Sequence, residues 1–350
     1  MGGITPKMAL DHFVIERKTY GVKPLSTGYI NDTYTIFDGH VPVFLLQRVN
    51  EKVFHDIPGL MENLEAVLPA LKGMGYHPVS FYYTKARHPY YCDKNGQYWR
   101  LMSFVPNGVS YDFTTDPDIA FESGRILGIF HRLTEKIATK SIKEILVGFH
   151  HLSKREGEFK MAVENASEER KQKAREEISF ANDLLEKLHG NRPIDLPLRI
   201  CHNDTKLNNF LFDSKTGKGL CLVDLDTVMP GYLHYDLGDA IRILANPNPE
   251  DERDLEKITF DLHMVKTFLE GIRESGLELS ESERLAIPYG AILMPFLHGI
   301  RALTDYLQHD RYYRVTYPQE NLNRARSLFA VALKASENSA ALAGIVKEVF

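Results

Sequence analysis

The most informative part of the chain is HNDTKLNNFLFDSKTGKGLCLVDLD, residues 202–226. It opens with a polar loop, 202–209, in which an Asp lies two residues after a His and an Asn lies five residues after that Asp. Two apolar segments separated by a turn follow, and each is typical of a short strand. The second segment, 220–223, leads directly into Asp224-Leu225-Asp226. The stretch therefore predicts two groups of polar side chains at the ends of neighbouring strands.

The residue types in this stretch suit phosphoryl transfer. Amide and carboxylate oxygens are hard ligands for Mg²⁺, which takes only one or two protein groups beside the phosphates, and Asn209 and Asp224 fit that role. A separate carboxylate, Asp204, stays ionised at neutral pH and can orient an acceptor hydroxyl and accept its proton. Lys206, in the same loop, can reach the transferring phosphoryl group as a point charge. Positioning and charge neutralisation are the main needs of this reaction.

Any one of these residues alone would predict little, because a loop Asp or Asn most often caps a helix or makes a turn. The joint pattern H-x-D-x₄-N, followed by a strand that ends in Asp, matches the catalytic loop and metal-binding Asp of kinases. His202 is expected to hold the loop through hydrogen bonds. Two roles are open for Asp226, which can bind a further Mg²⁺ or anchor the loop.

Length and composition favour a soluble protein of two lobes. The chain has 350 residues, of which 43% are hydrophobic and 25% charged, and single cores stop growing near roughly 250–300 residues. Lys+Arg 42 against Asp+Glu 47 gives a formal net charge of −5 with the charges scattered, so no nucleic-acid partner is expected. The three cysteines, Cys92, Cys201 and Cys221, lack metal-ligand spacing and predict no disulfide.

The chain also lacks the marks of a membrane or secreted protein. No apolar run approaches the ~20 residues that cross a bilayer. Residues 1–13 have neither the basic nor the apolar region of a signal peptide, which predicts a cytoplasmic protein. No obligate protein partner is indicated.

The order of the elements predicts an α+β fold. Residues 20–50 alternate apolar and polar side chains and predict three strands, and 79–83 and 97–105 predict two more. Between them, Asp56-Ile57-Pro58 begins an amphipathic helix. Residues 1–105 therefore form a five-stranded lobe, and 106–350 form a larger helical lobe with a cleft at the junction. The helices of the second lobe are predicted at 117–137, 164–188, 251–275, 282–309 and 318–336.

These lobes and motifs resemble the aminoglycoside phosphotransferase and choline kinase superfamily, which has the bilobal protein-kinase-like fold. Within it, several strings are similar to bacterial N-acetylhexosamine 1-kinases. They are STGYINDTY, FLLQRVN, LMENLEAV, HNDTKLNNFLF and LVDLDTVMPGYLHYDLGDAIR. The resemblance implies ATP and Mg²⁺ as cofactors and the anomeric hydroxyl of N-acetylglucosamine or N-acetylgalactosamine as acceptor.

The nucleotide site departs from the kinase pattern. The loop 25–34 has a single glycine, so the phosphates are expected to be covered by Ser26, Thr27 and Gly28 with backbone N–H groups. The resemblance to choline kinases gives the role of the kinase Lys to Arg48. Gln47 is the alternative, since alternation along a strand points the two side chains to opposite faces.

Two further nucleotide-site predictions follow from the same resemblance. Glu62 is the expected ion-pair partner of Arg48, and Glu65, one turn away, is the alternative. Adenine is expected to lie against 101–105 and to meet backbone groups of Ser103 and Val105.

The acceptor is predicted to be a small neutral molecule. Only nine residues, 227–235, separate Asp226 from Asp236, and a protein substrate would need a longer docking segment. Residues 289–320 balance three Arg against two Asp and one Glu, among His and Tyr, which suits a polyhydroxyl ligand better than a cation. The predicted acceptor-binding residues are Asn31, Asp204, Arg301, Asp305 and Tyr317.

Alternatives remain at this point. His298, Arg301 and Asp305 lie at helical spacing and can simply link neighbouring helices. The same fold could serve a kinase for choline, homoserine or an aminoglycoside. A non-catalytic nucleotide-binding module is a third hypothesis, and it predicts that a base or metal position is missing. Here Asp204, Asn209 and Asp224 are all present.

Overall fold

The computed structural model describes residues 4–25 and 30–350. After a short helix, α1 (Pro6–Leu10), the first lobe is an antiparallel sheet in the order β1-β2-β3-β6-β4, with β5 also paired to β6. Its strands are β1 (Gly21–Leu25), β2 (Asp32–Asp38), β3 (Val41–Val49), β4 (Phe81–Tyr82), β5 (Tyr91–Cys92) and β6 (Tyr98–Ser103). The predicted count of five strands was too low by one, because two-residue β5 is too short to show an alternating pattern.

Helix α2 (Ile57–Val67) follows β3 and begins where the sequence predicts. The side chain of Asp56 accepts the N–H of Gly59 at 2.9 Å and caps the helix. Its buried face belongs to the same apolar core as the helices of the second lobe. Asn63 joins the lobes directly, since its Nδ2 donates to the carbonyl of Lys143 at 2.8 Å. The boundary between lobes at residue 105 stays a prediction.

The second lobe is mainly helical and contains short strands around the loop 202–209. Its strands are β7 (Gly108–Val109), β8 (Arg199–Cys201), β9 (Phe210–Asp213), β10 (Gly219–Leu222) and β11 (Met229–Gly231). Its helices are α3 (Pro117–Thr134), α4 (Leu152–Asn165), α5 (Glu168–Lys173), α6 (Arg175–Gly190), α7 (Leu233–Leu244), α8 (Leu262–Glu274), α9 (Glu281–Leu307), α10 (Glu320–Glu337) and α11 (Ser339–Val349). Strands β7, β9 and β10 form one small sheet, and β8 pairs with β11.

Two of the five predicted helices in this lobe were wrong in extent. The segment 164–188 is divided among α4, α5 and α6, because Ser167 caps a new helix by accepting the N–H of Arg170. The segment 251–275 is α-helical in its second half only, where the Asp261 carboxylate caps α8. Residues 339–349, for which no helix was predicted, form α11.

Helix α9 is the 27-residue central helix of the lobe and packs on α4, α6, α7 and α10. By length and composition it could cross a membrane, but 67% of its most apolar window is buried inside the protein, which accounts for that composition. Helix α7 approaches α9 closely at two glycines. A Cβ on Gly238 would lie 2.2 Å from the carbonyl oxygen of Gly290, so the contact requires both positions to be small. This packing fixes α7 beneath the loop 202–209.

Candidate active site

The predicted catalytic loop, residues 202–209 between β8 and β9, is held in place by Asp236 on α7. The two carboxylate oxygens of Asp236 accept the backbone N–H groups of His202 at 2.8 Å and Asn203 at 2.7 Å. Thr205 donates its hydroxyl to the Asp236 carbonyl at 2.6 Å. The His202 ring lies 2.9 Å from the carbonyl oxygen of Val223, in agreement with its predicted structural role. Asp236 is fully buried, and its importance was missed because its partners lie more than 30 residues away.

Asp204 lies at the centre of this loop with one carboxylate oxygen engaged. Its Oδ2 accepts from Asn209 Nδ2 at 3.0 Å and lies 2.9 Å from Lys206 Nζ. Its Oδ1 accepts no hydrogen bond within the described part of the chain. Burial lowers the pKa of Lys206, but Asp204 and Asp224 more than compensate and raise it above its ordinary value. Lys206 is therefore a fixed positive charge beside a carboxylate with one free oxygen.

Asn209 and Asp224 are brought side by side at the edge of the same loop. The N–H of Val223 donates to the Asn209 carbonyl at 2.8 Å, and Asp224 follows in the left-handed conformation with φ +56°. The pKa of Asp224 is raised to about 6, first by burial and then by Asp226, while Lys206 and Arg100 act to lower it. Because Asn209 uses its N–H groups on Asp204, its amide oxygen stays available. An amide oxygen and a desolvated carboxylate form a donor set that fits Mg²⁺.

Asp226 differs from Asp224 because both of its oxygens are occupied. Oδ1 accepts from Arg100 at 2.5 Å and Oδ2 accepts from Asn31 Nδ2 at 2.7 Å, with 3% of the residue exposed. Of the two predicted roles, this geometry favours the anchor over a further metal site. Asn31 is engaged as well, since its Oδ1 accepts the N–H of Asn50 at 3.0 Å. The structure thus places Asn31 in a link between the lobes and speaks against its predicted contact with the acceptor.

Arg100 on β6 is the buried cation of the first lobe, and the sequence interpretation missed it. Its guanidinium donates to Gln47 Oε1 at 2.9 and 2.7 Å, and Gln47 is its cross-strand neighbour on β3. Only 2% of Arg100 is exposed. The available signal was a lone charged residue inside the apolar strand YWRLMS. Gln47 on β3 therefore points to the interior, beside Arg100 on the neighbouring strand β6.

Arg48 points to the face of the sheet opposite to that of Gln47. This agrees with the strand alternation on which the alternative, Gln47, was based. It pairs with Asp32 on the neighbouring strand, and 39% of its side chain is exposed. The predicted ion pair with Glu62 was wrong, because Glu62 pairs with Lys143 at 2.6 Å. Glu65 accepts the hydroxyl of Tyr83 at 2.9 Å, so the alternative partner was wrong as well.

The remaining nucleotide-site predictions differ in outcome. Ser26, Thr27 and Gly28 lie outside the described residues. Ser103 is engaged with Ser80, donating its N–H to the Ser80 carbonyl at 2.9 Å and accepting the Ser80 N–H on its Oγ at 3.0 Å. The N–H of Val105 makes no hydrogen bond with residues 4–25 or 30–350. The N–H of Ser103 is therefore unavailable to adenine, and the prediction that adenine meets this backbone otherwise stays open.

Arg301, a predicted acceptor residue, interacts electrostatically with Asp204, and its surroundings form what we call the acceptor side. Burial lowers the pKa of Arg301, but Tyr313, Tyr312 and Asp204 raise it, and the net pKa is above its ordinary value. Its guanidinium carbon lies 5.0 Å from the centre of the Phe149 ring. A permanent cation, with the Phe149 ring beside it, therefore lies within electrostatic reach of Asp204.

The other two predicted acceptor residues on this side have structural contacts. Asp305 is 4% exposed and accepts the N–H groups of Arg311, Tyr312 and Tyr313 at 2.7 to 2.9 Å. Tyr317 donates its hydroxyl to Asp251 at 2.6 Å. Both oxygens of Asp305 and the hydroxyl of Tyr317 thus have partners within the protein, which disfavours these two predictions.

A buried charge network lies under the acceptor side. Arg242 pairs with Asp239 at 2.7 Å and with Glu250 at 2.6 Å, and His298 lies 3.1 Å from Asp239. His298 therefore links helices, which is the alternative that the sequence left open for it.

Comparison with known proteins agrees with this geometry. The sequence model described as "Phosphotransferase enzyme family" matches residues 21–266. The chain belongs to this phosphotransferase family. The match includes the catalytic loop, Arg100 and Asp236, and it extends to α8.

Solved structures similar to this phosphotransferase share its whole fold at low identity. A microcompartment-associated aminopropanol kinase is 15% identical, with a TM-score of 0.66 and coverage of 96% of this chain and 97% of that chain. An aminoglycoside phosphotransferase from Alicyclobacillus acidocaldarius is 15% identical, with a TM-score of 0.64 and coverage of 99% and 98%. An amicoumacin kinase, in complex with AMP-PNP and Ca²⁺, is 15% identical, with a TM-score of 0.58 and coverage of 89% and 88%. These likenesses confirm the predicted kinase-like bilobal α+β fold.

Proposed function

We propose that this phosphotransferase is an ATP- and Mg²⁺-dependent cytoplasmic kinase that phosphorylates the anomeric hydroxyl of N-acetylglucosamine or N-acetylgalactosamine. The support for transfer to a hydroxyl is the free Oδ1 of Asp204, fixed beside Lys206 and Asn209. The support for a sugar is the set of sequence strings similar to N-acetylhexosamine 1-kinases, together with the acceptor side described above.

In this proposal each side chain has one task. Asp204 Oδ1 accepts the proton of the acceptor hydroxyl and aims its oxygen at the phosphorus. Lys206 offsets negative charge on the transferring group. Asn209 and Asp224 would hold Mg²⁺, which neutralises phosphate charge when it is bound. Arg100 acts through Asp226 and is a positioning residue, because it fixes the turn that follows Asp224.

The observation that carries the choice of acceptor is the position of Arg301. A guanidinium stays charged at every accessible pH and repels an ammonium group placed in the same pocket. It can instead donate hydrogen bonds to sugar hydroxyl or acetamido oxygens, and the neighbouring tyrosines offer ring faces. A neutral sugar is therefore favoured over a cationic acceptor.

The second candidate is a kinase for an amine-bearing alcohol such as choline, homoserine or an aminoglycoside. The names of the aminopropanol kinase and the aminoglycoside phosphotransferase point to that class. At 15% identity, however, these structures support the fold alone. The charge of Arg301 speaks against an amine at the same place.

The experiment is a panel of acceptors with ATP and Mg²⁺, followed by phosphorus NMR of the product. N-acetylglucosamine and N-acetylgalactosamine should give a 1-phosphate, and their methyl glycosides, in which the anomeric hydroxyl is blocked, should give none. Phosphorylation of a methyl glycoside would show that another hydroxyl is the acceptor. Turnover with choline, homoserine, aminopropanol or an aminoglycoside alone would remove the sugar assignment.

A further inference from the structure

Asn63 lies in the middle of α2, on the face that is buried against the second lobe. Only 2% of the residue is exposed, and its neighbours Leu60 and Leu64 belong to the core of the second lobe. The sheet of the first lobe has a separate core, formed with α1, to which Ile36 and Leu46 contribute. Helix α2 is therefore packed as part of the second lobe, although it follows β3 in the chain.

The amide of Asn63 binds main-chain groups in two separate segments of the second lobe. Its Oδ1 accepts the N–H of Lys143 at 2.8 Å, and its Nδ2 donates to the carbonyl of Lys143 at 2.8 Å. The same Nδ2 lies 3.3 Å from the carbonyl oxygen of Val228. Because an amide nitrogen has two hydrogens, it can serve both carbonyls at once. One side chain thus joins α2 both to Lys143 and to Val228.

The bond to Val228 reaches the turn that follows Asp224. The N–H of Val228 donates to the carbonyl of Leu225 at 3.1 Å and closes this turn. Asp224 directly precedes the turn in the left-handed conformation. A residue other than glycine keeps such a conformation only where its surroundings hold it there. The position of Asp224 therefore depends on what holds the turn.

A second asparagine holds the same segment from the loop 202–209. Asn203 donates from Nδ2 to the carbonyls of Thr227 at 3.0 Å and Met229 at 3.2 Å. Successive carbonyls of an extended chain point in opposite directions, so the Val228 carbonyl between them is left for Asn63. Three consecutive carbonyls are thus each bound by an asparagine amide, and the segment is fixed between α2 and the loop.

We propose that Asn63 is a positioning residue for Asp224, acting through Val228 and the turn between them. The role rests on the proposed function in one respect, namely that Asp224 holds Mg²⁺. The ion pair of Glu62 with Lys143 joins the same two segments, but its side chains are 61% and 50% exposed. Exposed pairs contribute little, so the buried amide is the effective link.

The test measures how much Mg²⁺ strengthens the binding of AMP-PNP, by calorimetric titration with and without MgCl₂. The ratio of the two affinities reports on the metal site, because effects on the rest of the nucleotide site cancel. Asn63→Ala should reduce this ratio about tenfold, since groups that orient a metal ligand typically affect metal affinity by about 10–100-fold. A lower stability in urea with an unchanged ratio would show that Asn63 only stabilises the fold, and would overturn the proposal.

Three variants on the same contact serve as matched controls. Glu62→Ala and Lys143→Ala remove the exposed ion pair but keep the main-chain groups that bind Asn63, so the ratio should stay at the value of the parent enzyme. Leu64→Ala, at a buried position of the same helix, should lower stability without changing the ratio. If Leu64→Ala reduces the ratio as much as Asn63→Ala does, general loosening of α2 is the cause, and the specific role of Asn63 is overturned.

Asp224→Asn separates the role of Asn63 from that of Asp224. If this variant keeps the ratio of the parent enzyme, the metal role of Asp224 is wrong, and the role of Asn63 fails with it. If Asp224→Asn reduces the ratio and Asn63→Ala does not, the role of Asn63 alone is wrong.

Hydrogen exchange of the metal-free parent enzyme tests the link even if Asn63→Ala fails to fold. Amides of α2 and of residues 225–229 should exchange at similarly slow rates, and more slowly than those of β1 and β2, because α2 is held as part of the second lobe. Exchange of α2 at the faster rate of the sheet would overturn the proposal.

Discussion

The two sides of the catalytic loop are built in contrasting ways. On the side of the first lobe, Arg100 and Asn31 both donate to Asp226, and all three are at least 92% buried, while the half-buried Gln47 accepts from Arg100. On the acceptor side, one oxygen of Asp204 accepts no hydrogen bond from residues 4–25 or 30–350, and the charge of Asp204 acts on the half-buried Arg301. A closed network positions its neighbours, whereas groups left without partners are available to a ligand.

This difference explains why the first set of residues should affect folding and the second set catalysis. A buried ion pair whose partner is removed leaves an uncompensated charge inside the protein. A solvated or half-buried group at a binding surface has water as a substitute, so its removal costs little stability.

The largest expected effect is on turnover, in Asp204→Asn. The amide cannot accept the hydroxyl proton, so kcat should fall by about 10²–10⁴-fold. ATP affinity and the thermal midpoint should stay near those of the parent enzyme. Asp183→Asn, at an exposed position on α6, is the control and should be fully active. An active Asp204→Asn enzyme would end the proposed role of this carboxylate.

The largest expected loss of stability is in Arg100→Gln. Asp226 would be left buried and unpaired, which should lower the free energy of unfolding by about 3–5 kcal/mol in urea titrations. Arg48→Gln, on the exposed face of the neighbouring strand, should change it by less than about 0.5 kcal/mol. Adding Asp226→Asn to Arg100→Gln should recover part of the loss. Equal effects of the two arginine variants would contradict the assignment of Arg100.

Arg301→Ala tests the acceptor side directly. Loss of hydrogen bonds from a charged donor should raise the KM for the acceptor about 10–100-fold. The KM for ATP should not change, and Arg314→Ala, an exposed arginine in the adjacent loop, should behave as the parent does. A parallel rise in both KM values would instead indicate a general distortion of the cleft.

The smallest predicted effect is a pH dependence of metal binding. The metal needs the ionised form of Asp224, whose pKa in the folded protein is raised to about 6. Magnesium affinity should therefore be constant above about pH 7 and fall about tenfold per pH unit below pH 6. Because the folded pKa exceeds the ordinary value of 3.8, the metal-free fold should gain stability as pH falls through 6. Magnesium titration of Asp224→Asn should be weak and independent of pH.

The features that the sequence predicted correctly are set by local chemistry. The spacing within residues 202–209 places Asn209 against Asp204 through a single turn. The start of α2 follows from one capping Asp, and the start of α9 from the capping box of Ser280 and Glu283. In each case the partners lie within about five residues, so the pattern contains the whole interaction.

The features that were missed, Arg100 and Asp236, depend on partners far along the chain. Arg100 meets Asp226 across 126 residues, and Asp236 reaches back 34 residues to the loop. Glu62 was assigned to Arg48 by analogy of position, but strand alternation points Arg48 outward to Asp32. Asp305 and Tyr317 were predicted from residue type alone, and residue type does not reveal which donors already occupy a carboxylate.

The Asp305 contacts have a consequence for how this enzyme could acquire new acceptors. Asp305 grips the turn at residues 311–313 through main-chain N–H groups, which every residue except proline possesses. Side chains at these positions could be exchanged over evolutionary time, or in a directed library, while the path of the turn is preserved. If the proposed acceptor site is right, the side chains of this turn can change while its main-chain path stays constant.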